Sequence, residues 1–390
     1  MATFKELVAA AREVIDEVTP EGAEARLGSA VFVDVREADE HTTGAIPGSS
    51  HIPRGVLESS AASRLRDPSA EIILYCAVGE RSALAALSLL ELGYTNVASL
   101  AGGVERWKRE GRRWDTPLTL RPDQRSRYSR HLLLPEVGEE GQGRLLDARV
   151  MLVGAGGLGS PAALYLAAAG VGTLGIVDHD VVDVSNLQRQ VLHGTDRIGS
   201  PKVESARETI RALNPDVEVV AYKERFSADN AVELVSGYDV VIDGADNFPT
   251  RYLLNDASLH ARTPVVHGSV FRFEGQATVF SPYAGPCYRC LSATPPPAEL
   301  APSCAEAGVL GVVPGIIGSI QALEAIKLIL HIGEPLIGTL LIFDALDGEF
   351  RRLRFNRDPN CPACADESAP PVIVEYDEYC VPAGSASRPA

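Results

Sequence analysis

Between Val150 and Val177 the chain runs for 28 residues without a charge, and seven glycines and one proline fall inside that run. Length and apolarity alone would permit a membrane-spanning helix there. The glycines and Pro161 cluster where a continuous lipid-facing helix would be poor, so no membrane span is expected. A buried strand, a glycine turn, a helix and a second strand account for the same residues. Gly154-Ala155-Gly156-Gly157-Leu158-Gly159 satisfies G-x-G-x-x-G directly after a strand and at the opening of a helix. In that setting the glycines let backbone amides approach a phosphate at a helix N-terminus. Asp178 closes the next strand 19 residues after Gly159, where an acidic side chain can hold ribose hydroxyls. Alone, this signal reads first as a nicotinamide or flavin site.

The chain has 390 residues, a length for two or three domains. Residues 150–153, 173–178, 217–221, 240–243 and 264–266 read as strands, most of them separated by helical stretches. That is the βαβ rhythm of a largely parallel, doubly wound, Rossmann-like α/β sheet. Residues 271–280 read as extended and 316–330 as a buried helix. A smaller α/β pattern comes first. Phe4, Leu7, Val8, Ala11, Val14 and Ile15 recur at helical spacing, residues 31–35, 72–75 and 97–100 read as strands, and 82–92 as a helix. The expected organisation is a first domain over 1–115, a linker over 116–122, a second domain over 123–365 and a mobile C-terminal tail over 366–390.

Lys and Arg number 36 against 52 Asp and Glu, a net charge of −16. That balance argues against a general nucleic-acid or anionic-membrane binder and leaves room for a local basic pocket. Met1-Ala2-Thr3-Phe4-Lys5-Glu6 lacks a secretory pattern, so a cytoplasmic, reducing location is expected. A triphosphate calls for cations where a dinucleotide can rely on backbone amides, and Arg189 and Lys202 supply them. Asp246, just beyond the strand at 240–243, suits a Mg2+ carboxylate. These charges shift the reading from hydride transfer to ATP chemistry.

Cys287-Tyr288-Arg289-Cys290 and Cys361-Pro362-Ala363-Cys364 are two C-x-x-C pairs with 70 residues between them. Four thiolates in two such pairs match structural, tetrahedral Zn2+. A thioredoxin-like redox pair is the rival, and neither pair reads as opening a helix after a βαβ strand. Cys304 reads either as a small buried hydrophobe or as a second working thiol. Cys76-Ala77-Val78-Gly79-Glu80-Arg81-Ser82 follows a strand and leads into a helix. Backbone amides of such a loop stabilise an anion at the sulfur, and the placement predicts an exposed, reactive Cys76. Cys380 has no assigned role.

Arg127-Tyr128-Ser129-Arg130-His131, the glycine turn, Ser185 to Gln190, Pro201-Lys202, Asp246-Asn247 and Cys304-Ala305-Glu306-Ala307-Gly308 together resemble the MoeB/ThiF adenylyltransferases, relatives of the ubiquitin-activating enzymes. The resemblance implies ATP-dependent adenylation of the C-terminal glycine of a small ubiquitin-like sulfur carrier ending in Gly-Gly. It implies that Gly154, Gly156, Gly157, Gly159, Asp178, Ser185, Asn186, Leu187, Gln188, Arg189, Lys202, Asp246 and Asn247 line the ATP site. It also implies that Arg130 reaches the phosphates from the partner subunit of a homodimer. Cys304 matches a family cysteine that some relatives use as an acyl acceptor or resolving thiol.

The first segment, about residues 28–110, resembles a single-domain rhodanese. The matching residues are Asp34-Val35-Arg36-Glu37, Gly44-Ala45-Ile46-Pro47-Gly48-Ser49, the Cys76 loop and Leu100-Ala101-Gly102-Gly103-Val104-Glu105-Arg106-Trp107. Its C-x4-R loop suits a sulfane sulfur better than a phosphate. The expectation is an adenylyltransferase and sulfurtransferase on one chain, with Cys76 loaded by a persulfide or thiosulfate donor. Two-domain members of the family usually carry the rhodanese at the C-terminus; here it comes first. Molybdopterin, thiamine, cysteine and tRNA thiolation are all open destinations. Adenylation of another acceptor, such as a tRNA base, and a nicotinamide oxidoreductase are the alternatives.

Overall fold

Asp16–Val18 (β1), Val31–Asp34 (β2), Ser50–His51 (β3), Ile72–Tyr75 (β4) and Val97–Leu100 (β5) pair in the order β1-β5-β4-β2-β3, every pairing parallel. β4 is buried along its whole length, as a strand covered on both faces must be. A capping box starts the first helix, Phe4–Arg12: the Thr3 hydroxyl accepts from the Glu6 amide and the Glu6 carboxylate from the Thr3 amide. Trp107, wholly buried on the helix Gly103–Arg109, donates its indole N–H to the Arg113 carbonyl at 2.8 Å. β1 and β3 are too short for periodicity to reveal. In this computed structural model residues 3–115, 120–294 and 308–376 are described; the chain divides into two compact units, Met1–Arg121 and Pro122–Ala390.

The second unit is built on Arg149–Val153 (β6), Thr173–Val177 (β7), Glu218–Tyr222 (β8), Val240–Asp243 (β9), Val265–Phe271 (β10), Glu274–Phe280 (β11), Thr339–Asp344 (β12) and Glu349–Arg354 (β13). Their order is β13-β12-β11-β10-β9-β6-β7-β8. β8 to β10 are parallel, and β10 to β13 form an antiparallel extension. The doubly wound expectation therefore covers five of the eight strands. The segment 271–280, read as one extended piece, contains a two-residue hairpin turn in which Arg272 adopts a left-handed φ of 54°. Strand order reverses between β6 and β9, and the carboxyl ends at such a point open a ligand crevice.

The helix Val312–Leu330 is long and apolar enough to cross a membrane, yet it carries buried polar groups that bind within the protein. The Gln321 amide donates to the carbonyls of Asp243 and Val266, and the Glu324 carboxylate accepts from Lys327 and the Leu336 amide. A methyl on Gly318 would collide with the Leu158 carbonyl, so this helix lies directly on the start of the helix Gly159–Ala169. Within the tail expected from 366 onward, residues 371–376 are tied to the second unit. The Pro371 carbonyl lies 2.5 Å from His260 Nε2, Glu375 accepts from the Ala228 amide, and buried Tyr376 donates its hydroxyl to Asp256.

Candidate active sites

Gly154 turns the chain out of β6 with a φ of 98°, and a methyl on Gly159 would lie 2.0 Å from the Gly154 carbonyl, so both positions require glycine. Asp178 holds this turn to the end of β7: one carboxylate oxygen accepts from the Ala155 amide and the other from the Asp180 amide, each at 2.9 Å. Arg189 runs alongside Gly157, whose added methyl would meet its side chain at 3.5 Å, and Gln190 faces Gly156. Asp183 caps the short turn Val184–Asn186, and the Ser185 carbonyl accepts from Arg189. Asn186 donates to the Ser185 hydroxyl; Leu187 is half-buried, and Gln188 packs against Gly311. Lys202, buried at the start of the helix Lys202–Leu213, places its Nζ 2.8 Å from the half-exposed Asp180 carboxylate.

Gly244 lies against Gly154 and carries the chain from β9 into exposed Asp246. Asn247 caps the helix Phe248–Ala261 through the Thr250 amide and donates to Asp246. Arg130 is exposed on Ser129–Leu132 and makes no hydrogen bond or ion pair among the described residues.

Two buried histidines support this crevice and carried no sequence signal. His193 bridges the Ala155 carbonyl and the Ser205 hydroxyl, each at 2.9 Å. His267 Nδ1 lies 2.6 Å from Asp243, which also accepts from the Ala245 amide. Burial depresses both imidazoles below their ordinary value, despite the Ala155 carbonyl beside one and Asp243 beside the other. A depressed folded value means that the unfolded chain takes up the proton first. Stability is therefore retained above the unfolded value, about 6.5, and lost as pH falls below it toward the folded value. As pH is lowered from 7.5 to 5.5 the unfolding free energy of the second unit falls, by up to about 1.4 kcal/mol per pH unit for each histidine, and its denaturation midpoint falls with it. A midpoint flat over that range contradicts this.

In the first unit Cys76 follows β4, and the structure corrects the expectation of an exposed sulfur: the residue is 1% exposed. The amides of Val104 and Glu105 bind the carbonyls of Cys76 and Ala77, and a methyl on Gly103 would collide with both carbonyls. Turned this way, the loop directs the Gly79 amide to the sulfur at 3.2 Å. Arg81 is bound at both ends of its fork to Glu40, 2.6 Å each, and that pairing holds the Glu40 carboxyl below the usual range. Arg36 in turn donates to the Glu40 carbonyl and, buried, to Asp34. Glu40 lies 41 residues from Arg81, a separation at which no local motif links them.

The two C-x-x-C pairs meet. Cys287 Sγ lies 3.9 Å from Cys290 and 3.6 Å from Cys361, Cys290 lies 3.5 Å from Cys364, and all four sulfurs fall within 4.8 Å of one another. A tetrahedral ion with bonds of about 2.3 Å to sulfur spaces its ligands about 3.8 Å apart. The set fits zinc, and no pair is a disulfide, whose sulfurs lie about 2.05 Å apart. Burial and the neighbouring sulfurs push the Cys287 thiol up and Cys364 up to about 11, so four thiolates need a cation among them. Cys287 precedes a single helical turn, Tyr288–Leu291, which follows an antiparallel strand and not a βαβ strand. Cys304, with Ala305 to Ala307, and Cys380 lie outside the described residues.

The ThiF family profile matches residues 128–363. The chain belongs to the ThiF family. A rhodanese-like domain, matched at residues 19–110, precedes the ThiF part. The ThiF part is similar to the sulfur carrier protein adenylyltransferase of Thermus thermophilus, with 51% identity over 65% of this chain and 96% of that protein. It is 52% identical to the adenylyltransferase and sulfurtransferase MOCS3 of Mus musculus, over 67% of this chain and 57% of the relative. This ThiF-family chain thus spans little more than half of that relative. Escherichia coli MccB with AMPCPP shares the fold, with a TM-score of 0.56 and 20% identity over 64% of this chain and 76% of that one.

Proposed function

We propose that the chain uses ATP to activate the C-terminal glycine of a ubiquitin-like sulfur carrier and then passes it sulfur from Cys76. The observation that supports the first half is the glycine turn at the end of β6, packed against Gly244 where strand order reverses between β6 and β9. Arg189 lies beside Gly157, buried Lys202 is paired with Asp180, and exposed Asp246 follows Gly244 by two residues. The glycine carboxylate attacks the α-phosphorus of ATP, the bond to the β-phosphate bridging oxygen breaks, and pyrophosphate leaves. Arg189 and Lys202, with Arg130 of a second copy in a homodimer, neutralise charge gathering on the phosphate oxygens. Asp246 would hold Mg2+, which when bound adds to that neutralisation. Cys287, Cys290, Cys361 and Cys364 would hold Zn2+ in a closed, structural site.

In the second half, the outer sulfur of a Cys76 persulfide attacks the acyl carbon and AMP leaves. An acyl disulfide remains. A thiol, Cys304 or an external one, cleaves its S–S bond; the thiocarboxylate departs and Cys76 is left in a disulfide for an external dithiol to reduce. A reducing cytoplasmic setting suits this cycle. The names of the Thermus and mouse relatives support both halves.

Mass spectrometry of carriers ending in Gly-Gly, incubated with enzyme, ATP, thiosulfate and a dithiol reductant, tests the scheme. Wild type yields the AMP adduct and the thiocarboxylate; Cys76→Ser stops at the adduct and loses thiocyanate production from thiosulfate and cyanide. Thiocarboxylate at the wild-type level in Cys76→Ser removes that thiol from the reaction.

A further inference from the structure

Three buried polar groups form a line in the first unit. Ser99 Oγ donates to Ser82 Oγ at 2.8 Å, and Ser82 Oγ donates to Cys76 Sγ at 3.5 Å. They come from three elements: β5, the helix Glu80–Glu91 and the residue after β4. Both serines are fully buried. We infer that Ser99 is a positioning residue for sulfur transfer, acting through Ser82 on Cys76; this rests on Cys76 being the sulfur-carrying thiol.

Packing alone gives no reason for these hydroxyls. The same helix buries Ala83, Ala85 and Ala86, and the surroundings are Leu74, Leu89 and Val97. Alanine would fit there without burying a polar atom. A buried hydroxyl needs partners, and the donation from Ser99 engages a lone pair of Ser82 while the Ser82 proton is directed to the sulfur. The Gly79 amide reaches the same sulfur, so Sγ receives two donors from fixed elements.

Such donors act unequally on the two half-reactions. In loading, the Cys76 thiolate attacks the sulfane sulfur of thiosulfate; a new S–S bond forms, the old one breaks, and its electron pair leaves with sulfite. Charge leaves Sγ. In discharge to cyanide, carbon takes the outer sulfur, the S–S bond breaks, and the electron pair returns to Sγ as thiocyanate departs. Charge arrives where Ser82 and Gly79 point, and hydrogen bonds strengthen toward a charged acceptor. Ser99 therefore assists discharge and not loading.

The test prepares persulfide on the full chain with thiosulfate, removes excess donor, and follows single-turnover discharge by cyanide. Ser99→Ala slows discharge about threefold to tenfold, the scale of one hydrogen bond, without slowing loading, and Ser99→Thr, which keeps the hydroxyl, restores the rate. Ser82→Ala slows the same step at least as much and serves should Ser99→Ala fold poorly. Unchanged discharge in both alanine variants, or equal slowing of loading and discharge, overturns the assignment. Wild type that takes up no sulfur overturns the sulfur-carrying role itself, a result distinct from the other two.

Discussion

In Lys202→Ala, carrier-dependent exchange of pyrophosphate into ATP falls by about 10²–10³-fold, the loss that follows removal of one donor to a developing anionic oxygen. The protein stays folded, because the partner left behind, Asp180, is half-exposed and can be solvated. Lys202 is itself buried, so its Nζ is held in place before the nucleotide arrives. Asp246→Ala has the same consequence for exchange, and its exposure makes it still less costly to the fold. Isotope exchange measured beside circular dichroism separates the two effects. Exchange at the unmutated rate in Lys202→Ala removes that side chain from the reaction.

Cys361→Ser, or prolonged chelation of the wild type, costs the second unit several kcal/mol and lowers its melting temperature by about 10–20 °C. Cys361 is buried and lies 3.6 Å from Cys287, so serine leaves a cation short of a ligand where water does not easily replace it. Around it, the Cys287–Cys290 turn docks on the helix Phe248–Ala261: the Tyr288 amide donates to Asn255 and Arg289 pairs with Asp256. Loss of the ion therefore loosens the helix whose N-terminus Asn247 caps. The Cys76 reaction with thiosulfate and cyanide persists, since its residues belong to the other unit. Metal analysis and differential calorimetry check this; an unshifted melting curve in metal-free protein contradicts it.

What the sequence revealed was local. The glycine turn follows from sharp φ requirements within six residues, and β4, an apolar run, and β5, apolar but for Ser99, are found where they were read. The cysteine pairs were legible because two thiols three residues apart leave their spacing in the chain, and the structure brings all four sulfurs together. Contacts that span the chain were not legible. Asp243 meets His267 across 24 residues, and Arg81 meets Glu40 across 41; nothing near either residue in sequence marks its partner. Cys76 shows both sides of this. Its strand-loop-helix position is local, whereas its burial depends on Gly103 and the amides of Val104 and Glu105 from another element. β13 left no pattern because all six of its residues are exposed.

Any fragment made to study the second unit alone must reach at least Tyr376. A piece cut after Cys364 would keep all four sulfurs and still strip Asp256 and Arg289 of the Tyr376 hydroxyl they share. Ile373 and Val374, which cover apolar side chains beside Tyr252, would go with it. Such a fragment would expose a sticky apolar surface and aggregate for reasons unrelated to its chemistry. The last six residues before Asp377 belong to the folded body of the second unit.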